Sequence, residues 1–198
     1  MGCKTVRPYE PSPNCSLPTL INYREPAFLA IFSQIWSTND LIVSFDGINI
    51  TFPNNNIKQT QPWPHVDQSP SRPGLQCVQG VLNLTSNGPR EGGLVVLKES
   101  HKYNKEFFAQ SEFKSKNFGD ADWFSFNEKQ IGWFKKRSGG GCKWVKVCAE
   151  PGDLILWESR TMHYNILPES DAVRAAMCEL LCFDTASFCG ALTDTLDW

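Results

Sequence analysis

Two spacings of apolar residues alternate along this chain. In residues 27–36, Phe28, Ile31, Phe32 and Ile35 recur at three- and four-residue intervals, with Pro26 just ahead of them. This spacing lines one face of a helix, and proline suits the first turn because its missing N–H would have no helical partner there. From residue 40 the pattern turns β-type: residues 40–50 read as extended and end near Pro53. Strand-like stretches follow at 75–84, 93–98, 142–148, 153–158 and 174–183, with turn signals between most of them. With short segments around His65 and His163, about eight strands are predicted. Between residues 101 and 135 lies an insert containing Phe107, Phe108, Phe113, Trp123, Phe126 and Trp133, read as partly helical.

Residues 1–25 carry Pro8, Pro11, Pro13 and Pro18 among polar side chains, which predicts an extended, poorly ordered lead-in. Residues 26–198 are then a single, mainly β domain, a sandwich or jelly roll with a few flanking helices. A jelly roll gathers side chains from distant strands at one open end. At 198 residues the chain is long enough for one sizeable core, and its 41% apolar and 20% charged content is that of a soluble protein. A net charge of -2 argues against a general nucleic-acid binder. The basic cluster Lys135, Lys136, Arg137, Lys143 and Lys146 is read as a solvated loop. No apolar run is long enough to span a bilayer, so no membrane partner is expected. The eight cysteines include no Cys-x-x-Cys pair and the chain opens without an apolar leader. The expectation is a reduced, intracellular, cytoplasmic protein in which Cys77, Cys148, Cys178 and Cys182 pack as small apolar groups.

The candidate chemistry rests on few residues. The chain has three histidines, and one of them opens His65-Val66-Asp67. On a strand, residues two apart share a face, so both side chains can reach one ion. Pro62-Trp63-Pro64 just before them favours an extended backbone. His163 stands beyond the turn Pro151-Gly152 and the apolar run that follows it. Two imidazoles and a carboxylate suit a non-haem Fe(II) with open positions, though the same donors also suit Zn or Ni. Arg174, eleven residues after His163, enters a strand that reads as buried. A buried guanidinium needs an anion: either an internal partner such as Glu179, or a bound carboxylate that its planar fork matches.

Taken in order, Pro64-His65-Val66-Asp67-Gln68-Ser69-Pro70, Gln79-Gly80-Val81-Leu82-Asn83-Leu84, the block Gly88-Pro89-Arg90-Glu91-Gly92-Gly93-Leu94-Val95-Val96-Leu97-Lys98-Glu99-Ser100-His101, and Pro151-Gly152-Asp153-Leu154-Ile155-Leu156-Trp157 leading to His163 and Arg174 form one series. It resembles the phytanoyl-CoA dioxygenase family of Fe(II)/2-oxoglutarate oxygenases. The resemblance implies a double-stranded β-helix, a cupin-like jelly roll, with Fe(II) held by His65, Asp67 and His163. It implies 2-oxoglutarate anchored by Arg174 and oriented by Gln79, and a dioxygenase that uses O2 to oxidise, typically to hydroxylate, a C–H bond of a small organic substrate. Glu99 stands where the family's block has glycine, and His101 is read as structural. The alternative is a truncated, catalytically inactive jelly-roll module that binds a small molecule or metal. Neither the primary substrate nor the oligomeric state is indicated.

Overall fold

The computed structural model describes residues 4–5, 26–43, 47–53, 61–72, 74–114, 118 and 121–183. In chain order the strands are β1 (Lys4–Thr5), β2 (Leu41–Val43), β3 (Gly47–Thr51), β4 (His65–Val66), β5 (Cys77–Asn83), β6 (Gly93–Leu97), β7 (Phe124–Ser125), β8 (Trp144–Lys146), β9 (Leu154–Glu158), β10 (His163–Ile166) and β11 (Arg174–Phe183). The helices are α1 (Pro26–Trp36), α2 (His101–Phe108), α3 (Ser111–Lys114) and α4 (Glu128–Arg137). They form two antiparallel sheets. One runs β1-β2-β11-β5-β9 with β3 also paired to β11, and the other runs β7-β4-β10-β6-β8. Each sheet interleaves strands from distant parts of the chain, which is the jelly-roll arrangement expected.

Strand alternation separates an outer face from an inner one. Along β5, Val78 and Leu82 pack with Phe32, Trp36 and Leu41, under helix α1. The helix lies so close that a Cβ added at Gly80 would stand 3.1 Å from the Phe32 ring. Gln79, between Val78 and Gly80, therefore faces the other way, between the sheets. On the second sheet Val66, Leu97 and Met162 point outward into a larger core built with Phe107, Phe113, Phe126, Ile131 and Phe134. His65 and His163, next in sequence to Val66 and Met162, face inward.

The aromatic insert thus closes the outer face of a sheet. Phe107, 1% exposed, has the rings of Phe108, Phe113, Phe126, Trp133 and Phe134 within 4.9–5.6 Å of its own centroid. Trp123 stands apart, 52% exposed. Asn127 caps α4 reciprocally: its side chain accepts from the Gln130 backbone N–H, and the Gln130 side chain accepts from the Asn127 N–H. The basic cluster is not one solvated loop: Lys135, Lys136 and Arg137 are exposed in the last turn of this helix, a favourable end for cations, while Lys146 is half-buried in β8 with its ammonium donating to Asn87 Oδ1 at 2.9 Å.

Several expectations need correction. Among the described residues there are eleven strands, not eight, because residues 40–50 divide into β2 and β3, and β1 and β7 were not anticipated. Two-residue strands carry no alternation that a sequence pattern could reveal. Within residues 1–25 only Lys4–Thr5 is described, and it pairs with Val43 and Ile42; the rest of that lead-in lies outside the described residues. Cys77 is buried as expected, but Cys148 and Cys178 are exposed, and the Cys182 side chain lies outside the described residues. Among the described residues no helix is long and apolar enough to cross a membrane.

If the insert is part of the core, Phe107→Ala should lower stability by about 3–5 kcal/mol in urea unfolding. A loss under about 1 kcal/mol would instead mark the insert as a detachable flap.

Candidate metal centre

His65 and His163 are direct Cα partners across the antiparallel pair β4–β10. Opposed residues in such a pair point to the same side, which brings the two imidazoles together from nearly a hundred residues apart. Their ring centroids are 4.4 Å apart. Asp67 follows β4 on the same face, and its backbone N–H donates to the Ser159 carbonyl at 3.0 Å. Ligand atoms of His65, Asp67 and His163 all lie within 4.8 Å of one another. His65 Nε2 is 3.4 Å from Asp67 Oδ1, and His163 Nε2 is 3.2 Å from Asp67 Oδ2.

The other ring nitrogens bear on which atoms can ligate. His65 Nδ1 lies 3.0 Å from the Trp63 carbonyl, and His163 Nδ1 lies 2.9 Å from the Thr161 carbonyl. A carbonyl only accepts, so each Nδ1 carries a proton, and in the neutral ring each Nε2 is then the atom that offers a lone pair. Two lone pairs and a carboxylate then converge on one point, where a cation is the fitting occupant. Burial is the main cause holding the His65 pKa below its ordinary value, with His163 adding to it against the Trp63 carbonyl and Asp67. That favours the neutral, ligating imidazole. Burial acts to raise the Asp67 pKa, but His163, Gln79 and His65 together outweigh it and keep the carboxyl below its ordinary value.

The surroundings lock these groups in place. Gln79 Nε2 donates to Asp67 Oδ2 at 2.8 Å. Gln68 fastens the loop beyond Asp67: its amide nitrogen donates to the Arg72 and Gly74 carbonyls at 2.9 and 2.8 Å, and its oxygen accepts from Ser159 Oγ at 2.7 Å. Met162 is held from both sides. Its N–H donates to Ser100 Oγ at 2.8 Å, and its carbonyl accepts from the Leu97 N–H at 2.8 Å. The Trp63 ring stacks on His65 with centroids 4.1 Å apart and planes 9° apart, while Trp157 meets the His163 ring edge-on at 5.5 Å. Trp63, Gln68, Ser159 and Trp157 were not among the sequence candidates. Only the Pro-Trp-Pro stiffening hinted at one of them.

Arg174 begins β11, 7% exposed. Its guanidinium lies where a Cβ on Gly93 would be, 3.0 Å from both Cζ and Nε, and Gly93 has φ +90°. Only glycine suits both the backbone and the space. Arg174 Nε is buried without a hydrogen-bond partner, and no described carboxylate forms an ion pair with the side chain. Burial is the main cause lowering its pKa. The Glu179 side chain, the internal partner weighed from the sequence, lies outside the described residues. His101 stands outside the metal-ligating group, at the start of α2, half-buried.

The phytanoyl-CoA dioxygenase (PhyH) family model matches residues 19–175 of the chain. The Ava biosynthesis cluster protein O of Aspergillus versicolor is 40% identical over 156 residues, which cover 77% of this chain and 50% of that protein. The chain therefore spans about half the length of this curated relative. Among solved structures, EctD from S. alaskensis, crystallised with 2-oxoglutarate and 5-hydroxyectoine, superposes with a TM-score of 0.58 at 15% identity, covering 84% of this chain and 52% of EctD. AviO1 from Streptomyces viridochromogenes Tue57 gives 0.54 at 14% identity, covering 82% and 60%. At these identities the structures share the fold, while the family match extends over most of the sequence, through both histidines, Asp67 and Arg174. This chain belongs to the phytanoyl-CoA dioxygenase family.

Proposed function

We propose that the chain is an Fe(II)- and 2-oxoglutarate-dependent dioxygenase acting on a C–H bond of a small organic substrate, with hydroxylation as the expected outcome. The observation that carries this reading is a pair of complementary demands between the two sheets, the arginine lying against Gly93, three residues along β6 from Val96, the strand partner of His163. Two imidazole lone pairs and a carboxylate call for a divalent cation, and a buried arginine calls for an anion. A dicarboxylate that chelates the metal at one end and meets Arg174 at the other answers both. EctD, of the same fold, has been crystallised with iron as well as with 2-oxoglutarate.

His65, Asp67 and His163 would hold the iron on one side and leave positions open. When bound, the iron couples O2 and 2-oxoglutarate to oxidation of the substrate, with succinate and CO2 as co-products. The work of the chain is orientation. The Trp63 and Thr161 carbonyls fix each imidazole's tautomer, and Gln79 fixes the rotation of the Asp67 carboxylate. Gln79 thereby acts on the co-substrate site through Asp67. Arg174 selects for a carboxylate at the far end, since its two parallel N–H groups match that shape and a lysine's point charge does not. The low exposure of both imidazoles and of Arg174 keeps bulk water from competing for these contacts.

Two outcomes are expected. His65→Ala and Asp67→Ala should each weaken Fe(II) or Co(II) binding by more than about a hundredfold, because even residues behind the ligands commonly cost ten- to a hundredfold. Metal titration followed by absorption or calorimetry checks this, and unchanged affinity in both variants would sink the ligand assignment. Arg174→Ala should leave metal affinity in place and raise the anaerobic 2-oxoglutarate dissociation constant by about a hundredfold, with Arg174→Lys in between. Succinate release coupled to O2 uptake separates the oxygenase from an inactive binding module.

A further inference from the structure

Trp63 and Trp123 stay largely exposed, although Trp63 lies on a candidate metal ligand and Trp123 packs against Trp63. Trp63 is 55% exposed and Trp123 52%. Other rings of the insert are buried or packed against its core, so burial does not explain where Trp123 stands. The backbone places it there. Strand β7 pairs with β4, matching His65 with Ser125 and Val66 with Phe124, and the Phe126 N–H donates to the Pro64 carbonyl at 2.9 Å. An exposed ion pair, Arg72 to Asp122 at 2.7 Å, joins the same loop to the turn after Asp67. Such a pair adds little stability alone, but it agrees with the strand pairing about where the loop sits.

Trp63 precedes His65 by two residues, and Asp67 follows by two, so all three share the inward face of one extended segment. Pro62 and Pro64 on either side hold Trp63 extended. Its ring lies flat on the His65 imidazole, and Trp123 meets it edge-on with centroids 6.4 Å apart. Two indoles at an interplanar angle of 83° form a corner whose inner end is a metal ligand.

Resting on the oxygenase reading, we infer that Trp63 and Trp123 form the recognition corner for the primary substrate, and that this substrate carries a planar, apolar ring. An indole face attracts flat unsaturated rings by stacking and edge contacts, beyond the area buried. Because Trp63 lies on His65, a ring seated in the corner is one indole away from a metal ligand, and the C–H bond to be oxidised is on the part of the substrate that extends past Trp63 toward the metal. Among the described residues, the charged pair beside the corner is the exposed Arg72–Asp122 pair, already satisfied by its own partner, so the indoles select for shape and polarisability.

The test uses naphthalene-2-methanol as a planar probe and cyclohexylmethanol as a non-planar control, on the full chain loaded with Co(II) and 2-oxoglutarate. Paramagnetic broadening of the probe's proton signals reports binding close to the metal. The naphthyl probe should bind at least about fivefold more tightly than the cyclohexyl one, and Trp123→Ala should weaken it about fivefold without altering Co(II) affinity. Trp63→Phe should retain most of the binding that Trp63→Ala loses. Equal binding of the two probes, or wild-type affinity in Trp123→Ala, would overturn the corner. Should the wild type take up no metal, the iron reading fails on its own. Quenching of tryptophan fluorescence by the naphthyl probe in metal-free protein then still decides the corner, with no quenching overturning it.

Discussion

The antiparallel pairing of β4 with β10 is the constraint on which the rest of this molecule depends. It sets His65 opposite His163, and strand alternation then gives each histidine an outward-facing neighbour, Val66 and Met162. A slip of one residue would reverse every side chain on one strand. It would bury an imidazole in the aromatic core and turn Val66 or Met162 toward the carboxylate. The register is defended from outside by that core and by the double hold on Met162, whose N–H and carbonyl are both engaged. The buried aromatic core of the insert at 101–135 therefore serves the site from behind the sheet. It makes the wrong register expensive.

From within, the site is unbalanced by design of its donors and acceptors. With both rings neutral, the Nε2 atoms and the Asp67 carboxylate all accept, while the buried guanidinium only donates. Each set is costly to keep out of water without a partner. Backbone carbonyls at Trp63 and Thr161 and the Gln79 amide fix these groups in orientation while leaving their outer lone pairs unused. This is preorganisation: the ordering cost is met in folding, so a ligand finds the groups already aimed. Gly93 belongs to the same scheme, since the absence of a side chain there is what lets the arginine lie across the strand.

Much of this was legible in the sequence. The long strands at 77–83, 93–97, 154–158 and 174–183 showed themselves because several apolar residues in a row must be buried on at least one face. Helix α1 was visible because its apolar spacing matches its period. Two-residue strands, by contrast, are defined by what they pair with, and β1 and β7 have no pattern of their own. The outward turn of the insert's phenylalanines was equally hidden: a cluster of aromatics reads the same whether it roofs a pocket or fills a core. Exposure of Cys148 and Cys178 escaped for a similar reason, since a cysteine in a strand run can sit on either side of a sheet.

By itself the sequence determined the chemical kinds available here: two imidazoles, a carboxylate two residues from one of them, an arginine downstream, and the fold class able to bring them together. It did so because residue type and local period are properties of the chain alone. Only the tertiary structure decided which groups meet, with what geometry, and which remain unpaired. Those depend on strand register and sheet order, which are set by contacts between segments far apart in the chain. Trp63 and Trp157 took their places beside the two histidines by that route, as did the unpartnered Nε of Arg174.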